Sequence, residues 1–188
     1  MSLEARELAV PDPSAWGPWP LPASRLPDAD VIRLLRCEGS LTAALREHSG
    51  DRFGLRVLRQ DTLPLGGFQT GPIRAERGIV REVVLLGGGD DWVFAQTIIP
   101  LATAESQTWI TEMGGQPLGD ALFHRDDVVR SPLSFARVES RQPLHQRACD
   151  LGLNPDGRPL FARRSCFFAN DAPLLVTEVF LPALCPTP

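Results

Sequence analysis

The stretch GIVREVVLLGGGDDWVFAQTIIP, residues 78–100, holds two runs rich in Val, Ile, Leu, Phe and Trp on either side of a glycine triplet. Branched and aromatic runs bounded by turn residues read as strands, and the Gly-Asp signal between them joins them as an antiparallel hairpin. The pattern returns near the end of the chain. RPLFARRSCFFAND (158–171) and APLLVTEVFLP (172–182) meet at Asn170-Asp171, a second hairpin signal. FGLRVLRQ (53–60) alternates as another strand, LSFARVES (133–140) reads as a further one, and LPLGGFQTGP (63–72) reads as a loop.

Helical signals come mainly before these strands. Asp28 can cap a segment whose Val31, Leu34 and Leu35 share a face, Gly39 stops it, and Ser40 caps LTAALREHSG, which ends at Gly50. A helix is expected over 103–113, ended by Gly114-Gly115, and a helical turn over 117–123 with Pro117 at its start. Helices followed by hairpin-linked strands predict an α+β fold, a single domain with an antiparallel sheet covered on one face by helices. The domain spans 28–188. Residues 1–27 form a proline-rich N-terminal arm, expected to lie over the domain with Trp16 and Trp19 as anchors.

Composition narrows the function. The 188 residues are 43% hydrophobic and 22% charged, enough to build one core. All 19 basic residues are arginine, against 23 acidic ones, and there is no lysine and no tyrosine. That removes Schiff-base lysines, pyridoxal-phosphate anchors, P-loop lysines and phenolic acids. A net charge of −4 argues against a nucleic-acid partner. The four cysteines and three histidines show no ligand spacing, so no metal site is expected, and no disulfide framework. The N-terminus carries no apolar leader and no run could span a membrane, which reads as cytoplasmic. The glycine triplet precedes no helix pattern and reads as a turn, and neither Ser40 nor Ser165 sits in a nucleophile elbow.

Two charges fall on apolar strand faces. Arg81 alternates with Ile79, Val83 and Leu85, and Glu178 with Val176 and Phe180. Buried alone, each would cost several kcal/mol, so each needs a partner. Either they pair with each other, or they line a pocket, Arg81 gripping an anion and Glu178 facing its polar end. Glu82, on the other face, reads as a solvated or rim carboxylate. Of Arg163 and Arg164, one is expected to point outward. PLGDAL sets the amides of Leu118 and Gly119 at a helix start, a second anion-seeking element.

In order, GSLTAAL (39–45), VREVVLLGGGDDWVFAQTIIP (80–100), PLGDALF (117–123) and PLLVTEVFLP (173–182) resemble the bacterial chorismate pyruvate-lyase family over most of the chain. The resemblance implies an antiparallel sheet and helices enclosing a buried ligand pocket. It implies cleavage of chorismate to 4-hydroxybenzoate and pyruvate, the first step of ubiquinone biosynthesis, with no cofactor and with chorismate as the small-molecule partner of a monomer. It places the ligand-contacting arginine on Arg81, the pocket glutamate on Glu178 and the backbone contact on Leu118. Leu41 stands where the family has methionine, a volume-conserving swap. Gln96 stands where the family pattern has arginine, a departure that bears on substrate entry or on the second carboxylate. An enclosed pocket implies slow product release and product inhibition, with 61–72 and 28–50 as lids. The competing class is a non-catalytic sensing domain for aromatic carboxylates. Such a domain normally follows a DNA-binding helix-turn-helix, which the proline-rich start of this chain cannot form. A related lyase or isomerase acting on another cyclohexadiene carboxylate is the third reading.

Overall fold

In the computed structural model, which describes residues 16–21, 26–70 and 73–184 (the side chains of 66–70 excepted), the central hairpin is β2, Ile73–Gly87, and β3, Asp90–Pro100. Gly88 and Gly89 make the turn with φ of 68° and 99°, so it falls on the last two glycines, one residue before the expected Gly-Asp step. The late hairpin is β6, Leu160–Ala169, and β7, Ala172–Phe180, turned by Asn170 and Asp171, both at positive φ. With β1 (Phe53–Thr70), β4 (Val128–Arg130) and β5 (Ser134–Val138), they form a seven-stranded antiparallel sheet. The order is β1-β2-β3-β7-β6-β4, with β5 also on β6.

The two short N-terminal helices are α1, Ala29–Leu35, and α2, Leu41–Ser49. Both caps work as their sequence suggests: Asp28 accepts from the Val31 amide at 2.9 Å and Ser40 from the Ala43 amide at 3.2 Å. Val31, Leu34, Leu35, Leu41 and Leu45 pack on Val83, Leu85, Val93 and Ala95 of the sheet. At Gly17 the chain bridges Phe135, while Trp19 meets the Phe135 ring edge-on and Trp16 lies under the Arg164 guanidinium.

Several elements depart from the expectation. The segment 63–72 is not a loop through Thr70; it continues β1, with register shifts at Val57/Arg59 and Pro64/Phe68. An edge strand tolerates Pro64 and extra residues as bulges, which is why a Gly/Pro-rich stretch can stay paired. The 61–72 lid is therefore a strand as far as Thr70, and residues 71–72 lie outside the description. The 103–113 helix is two pieces, α3 at Leu101–Ser106 and a 3-10 turn at Thr108–Ile110. Gln107 leaves helical geometry between them while its side chain accepts from the Trp109 indole at 3.1 Å. α4 covers Leu118–Phe123.

Unforeseen is α5, Pro143–Asp150, whose Leu144 and Ala148 pack with Val84, Phe94 and Val179. Those residues belong to the face turned away from α1 and α2. The sheet is thus covered on both faces, and Arg163 and Arg164, pointing opposite ways as strand neighbours must, are both buried.

Gly78 is where β2 and β3 approach too closely for a side chain: a Cβ there would lie 2.5 Å from the Ile99 carbonyl oxygen. Gly78→Ala should cost roughly 1–3 kcal/mol, read as a lower urea midpoint with unchanged slope.

Candidate active site

Alternation along β2, β3, β6 and β7 decides which side chains meet. Register places Val83, Ala95, Glu178 and Arg163 in one cross-strand row and Arg81, Thr97, Val176 and Ser165 in the next. Over these rows sit Leu41 and Thr42 of α2 and Leu118 to Phe123 of α4, and the space between is a cavity of about 550 Å³ counting its mouth. Arg81, Glu178, Leu118 and Leu41, far apart in the chain, all line it.

The roof is stitched by polar contacts. Ser40 caps α2 and also donates to Asp120 of α4 at 3.1 Å, and Arg46 pairs with the same carboxylate. At Gly119 a Cβ would stand 3.2 Å from the Thr42 hydroxyl, so glycine lets the two helices close. Pro117 provides no side-chain cap, and the first amides of α4 have no preceding helical carbonyl to bond.

Arg81 is 3% exposed. Its guanidinium donates to Gln60 Oε1 at 2.6 Å and to the Gln116 carbonyl at 3.0 Å. These are neutral acceptors that aim the group without discharging it, and burial lowers its pKa. Among the described residues no carboxylate pairs with it. The Arg81–Glu178 ion pair, one of the two readings from sequence, does not form.

Glu178 pairs instead with Arg163, whose Nε donates to Oε2 at 2.6 Å. Arg163 is 1% exposed, and its Nη1 also donates to the carbonyls of Leu34, Leu35 and Cys37 at the end of α1. Glu178 Oε1 has no bond among the described residues. Arg130 completes the charged lining: Nε donates to Ser165 Oγ at 2.8 Å, Nη1 to the Glu38 carbonyl at 2.6 Å, and its guanidinium lies over the rings of Phe123 and Phe167. Burial lowers its pKa, as does the neighbouring Arg163 charge, against the opposing pull of Glu178. Sequence reading missed Arg130 and Arg163. The signal for Arg163 was its place opposite Glu178 across a predicted hairpin.

The chorismate lyase family model matches residues 23–186. The chain belongs to that family. It is 36% identical over 176 residues to the probable chorismate pyruvate-lyase of Psychromonas ingrahamii, covering 87% of this chain and 94% of that one. To the protein of the same name from Thiobacillus denitrificans it is 40% identical over 153 residues, 78% and 79% of the two chains. Among solved structures, PhnF from Mycobacterium smegmatis is similar in fold, with a TM-score of 0.51 at 19% identity over 78% of this chain and 65% of that one.

The departure from the chorismate lyase pattern at Gln96 lies away from the cavity. Gln96 is on the back of the sheet, 1% exposed, donating to Glu82 Oε1 at 3.0 Å, so it neither touches the cavity nor stands for a missing ligand to a second carboxylate. Glu82 is not a solvated rim group either. It is fully buried beneath α5, taking Arg147 at 2.6 Å and Arg59 at 3.0 Å. Burial would raise its pKa, but bonds from Arg147 and Gln96 and the charges of Arg59 and Arg147 outweigh that, and it stands below the ordinary carboxylate value.

A carboxyl depressed on folding stabilises above its unfolded pKa, and that stability is lost as pH falls through the folded value. Glu82→Gln should therefore cost about 3–5 kcal/mol at pH 7. The gap from wild type should narrow as thermal unfolding is repeated below the ordinary value of 4.5.

Proposed function

We propose that this protein is a chorismate lyase, converting chorismate to 4-hydroxybenzoate and pyruvate in the first step of ubiquinone biosynthesis. The observation that carries the reading is the front cavity, where three guanidinium groups and one carboxylate are set into an apolar wall. It is an enclosure with two more positive than negative groups, suited to a dianion on a small apolar ring. Chorismate has two carboxylates and no phosphate.

The reaction is redox-neutral and its atoms balance without a cofactor. The C3–O ether breaks, C4 loses its hydrogen, the ring becomes aromatic, and the enolpyruvate gains a hydrogen at its methylene carbon to become pyruvate. Aromatisation drives the reaction downhill. What the protein contributes is a single ring conformer, exclusion of water and one placed polar group. Arg81 holds the ring carboxylate, aided by the Leu118 amide, in the charge-assisted geometry guanidinium groups favour. Leu41 and Leu118 close on the ring. Glu178, steadied through Oε2 by Arg163, turns Oε1 to the 4-hydroxyl, orienting it and taking part in moving the C4 proton. Tight enclosure of an aromatic anion makes release slow, so 4-hydroxybenzoate inhibits.

Purified protein mixed with chorismate should release 4-hydroxybenzoate, followed by absorbance, and an equal amount of pyruvate, followed with a coupled dehydrogenase. Binding without turnover would instead support the sensing domain. Glu178→Gln, which keeps an acceptor for Arg163, should lower kcat roughly 100-fold with little change in KM. Arg81→Ala should weaken both chorismate and 4-hydroxybenzoate by about 10- to 100-fold. A Glu178→Gln enzyme at wild-type rate would remove that residue from the chemistry.

A further inference from the structure

We infer that Arg130 reads the second carboxylate of the substrate and so separates a dicarboxylate from its monocarboxylate product. The inference rests on the lyase reading of the cavity and adds to it a residue that sets specificity.

Three arginines line the cavity, and they are not equivalent. Arg163 is discharged by Glu178 at 2.6 Å and spends Nη1 on the carbonyls of Leu34, Leu35 and Cys37 at and just past the end of α1. Arg81 and Arg130 meet only neutral acceptors, and neither has an ion pair among the described residues. Arg81 is buried and Arg130 half-buried, and a guanidinium so placed without an ion pair is costly until an anion arrives to complete it. Two such groups in one cavity suit a ligand carrying two separated anions.

Their placement supplies the order. Across the sheet, Arg81 is on β2, Glu178 on β7, Arg163 on β6 and Arg130 on β4. The carboxylate that faces the 4-hydroxyl therefore stands between the two uncompensated arginines. A ring whose carboxylate is held at Arg81 directs its opposite end to Glu178, and a substituent at the neighbouring carbon continues toward Arg130. That neighbouring carbon, C3, carries the enolpyruvyl group in chorismate. Arg130 is built for precise aim: Nε on Ser165, Nη1 on the Glu38 carbonyl, and the plane held over two aromatic rings that themselves meet edge to face at 5.7 Å. Nη2 has no bond among the described residues and is left to donate. Once the ether breaks and pyruvate departs, nothing in the product reaches Arg130.

The test compares ligands that differ only in the second anion. On the wild-type protein, 3-(carboxymethoxy)-4-hydroxybenzoate should bind at least 10-fold more tightly than 3-methoxy-4-hydroxybenzoate, measured by calorimetry. In Arg130→Met, which keeps an apolar stem beside Phe123 and Phe167, that preference should vanish. The KM for chorismate should rise roughly 10- to 100-fold, the loss of a charged hydrogen-bonding partner, while 4-hydroxybenzoate affinity stays within about threefold. Equal binding of the two ethers to wild type would overturn the inference, a result that needs no variant to fold. So would equal weakening of chorismate and 4-hydroxybenzoate in Arg130→Met, which would mark Arg130 as a purely structural support. Failure of the lyase reading shows separately, as no 4-hydroxybenzoate formed from chorismate by wild type.

Discussion

The buried guanidinium of Arg163 ties this structure together. From the middle of the sheet it takes Glu178 with one nitrogen and, with another, the carbonyls that end α1. A cation beside the last carbonyls of a helix suits its dipole. One side chain thus fixes where the N-terminal helices sit on the sheet and how the pocket carboxylate is turned. Because α2 follows α1 after a few residues and is pinned to α4 through Ser40, Arg46 and Asp120, the roof of the cavity inherits its position from the same contact.

Neighbouring residues on β2 show how one strand serves two purposes. Arg81 faces the cavity with only neutral acceptors around it, whereas Glu82 faces back and is saturated by Arg59, Arg147 and Gln96. Charge on the back is balanced inside the fold and contributes to stability. Charge on the front is left in excess of one sign, an arrangement that gains its partner only when an anionic ligand enters. The cost of the front is carried by the packing of the rest: apolar clusters on both faces, and α1, α2 and α5 holding the sheet between them.

Much of this was legible in the chain. The two hairpins, the caps at Asp28 and Ser40, and the charges at Arg81 and Glu178 on apolar faces all follow from local pattern, because strand alternation and capping act over a few residues. The bulged continuation of β1 was not, since glycine and proline signal a turn unless an edge strand absorbs them. α5 was missed too, and with it the reason Glu82 is buried: a helix of eight residues, half of them polar, leaves little periodic signal, yet it turns a solvent face into an interior one.

By itself, then, the sequence determined the fold class, the antiparallel pairing, and which residues of each strand share a face, since these depend on side-chain period and turn chemistry alone. Tertiary structure decided the partners. Glu178 belongs to Arg163 and not to Arg81, Gln96 serves the back of the sheet, and Arg130 joins the cavity from the far end of the strand order. The Arg163–Glu178 register is implicit in the second hairpin, but which charges meet across non-sequential strands and between layers is a matter of distances that a linear pattern does not carry.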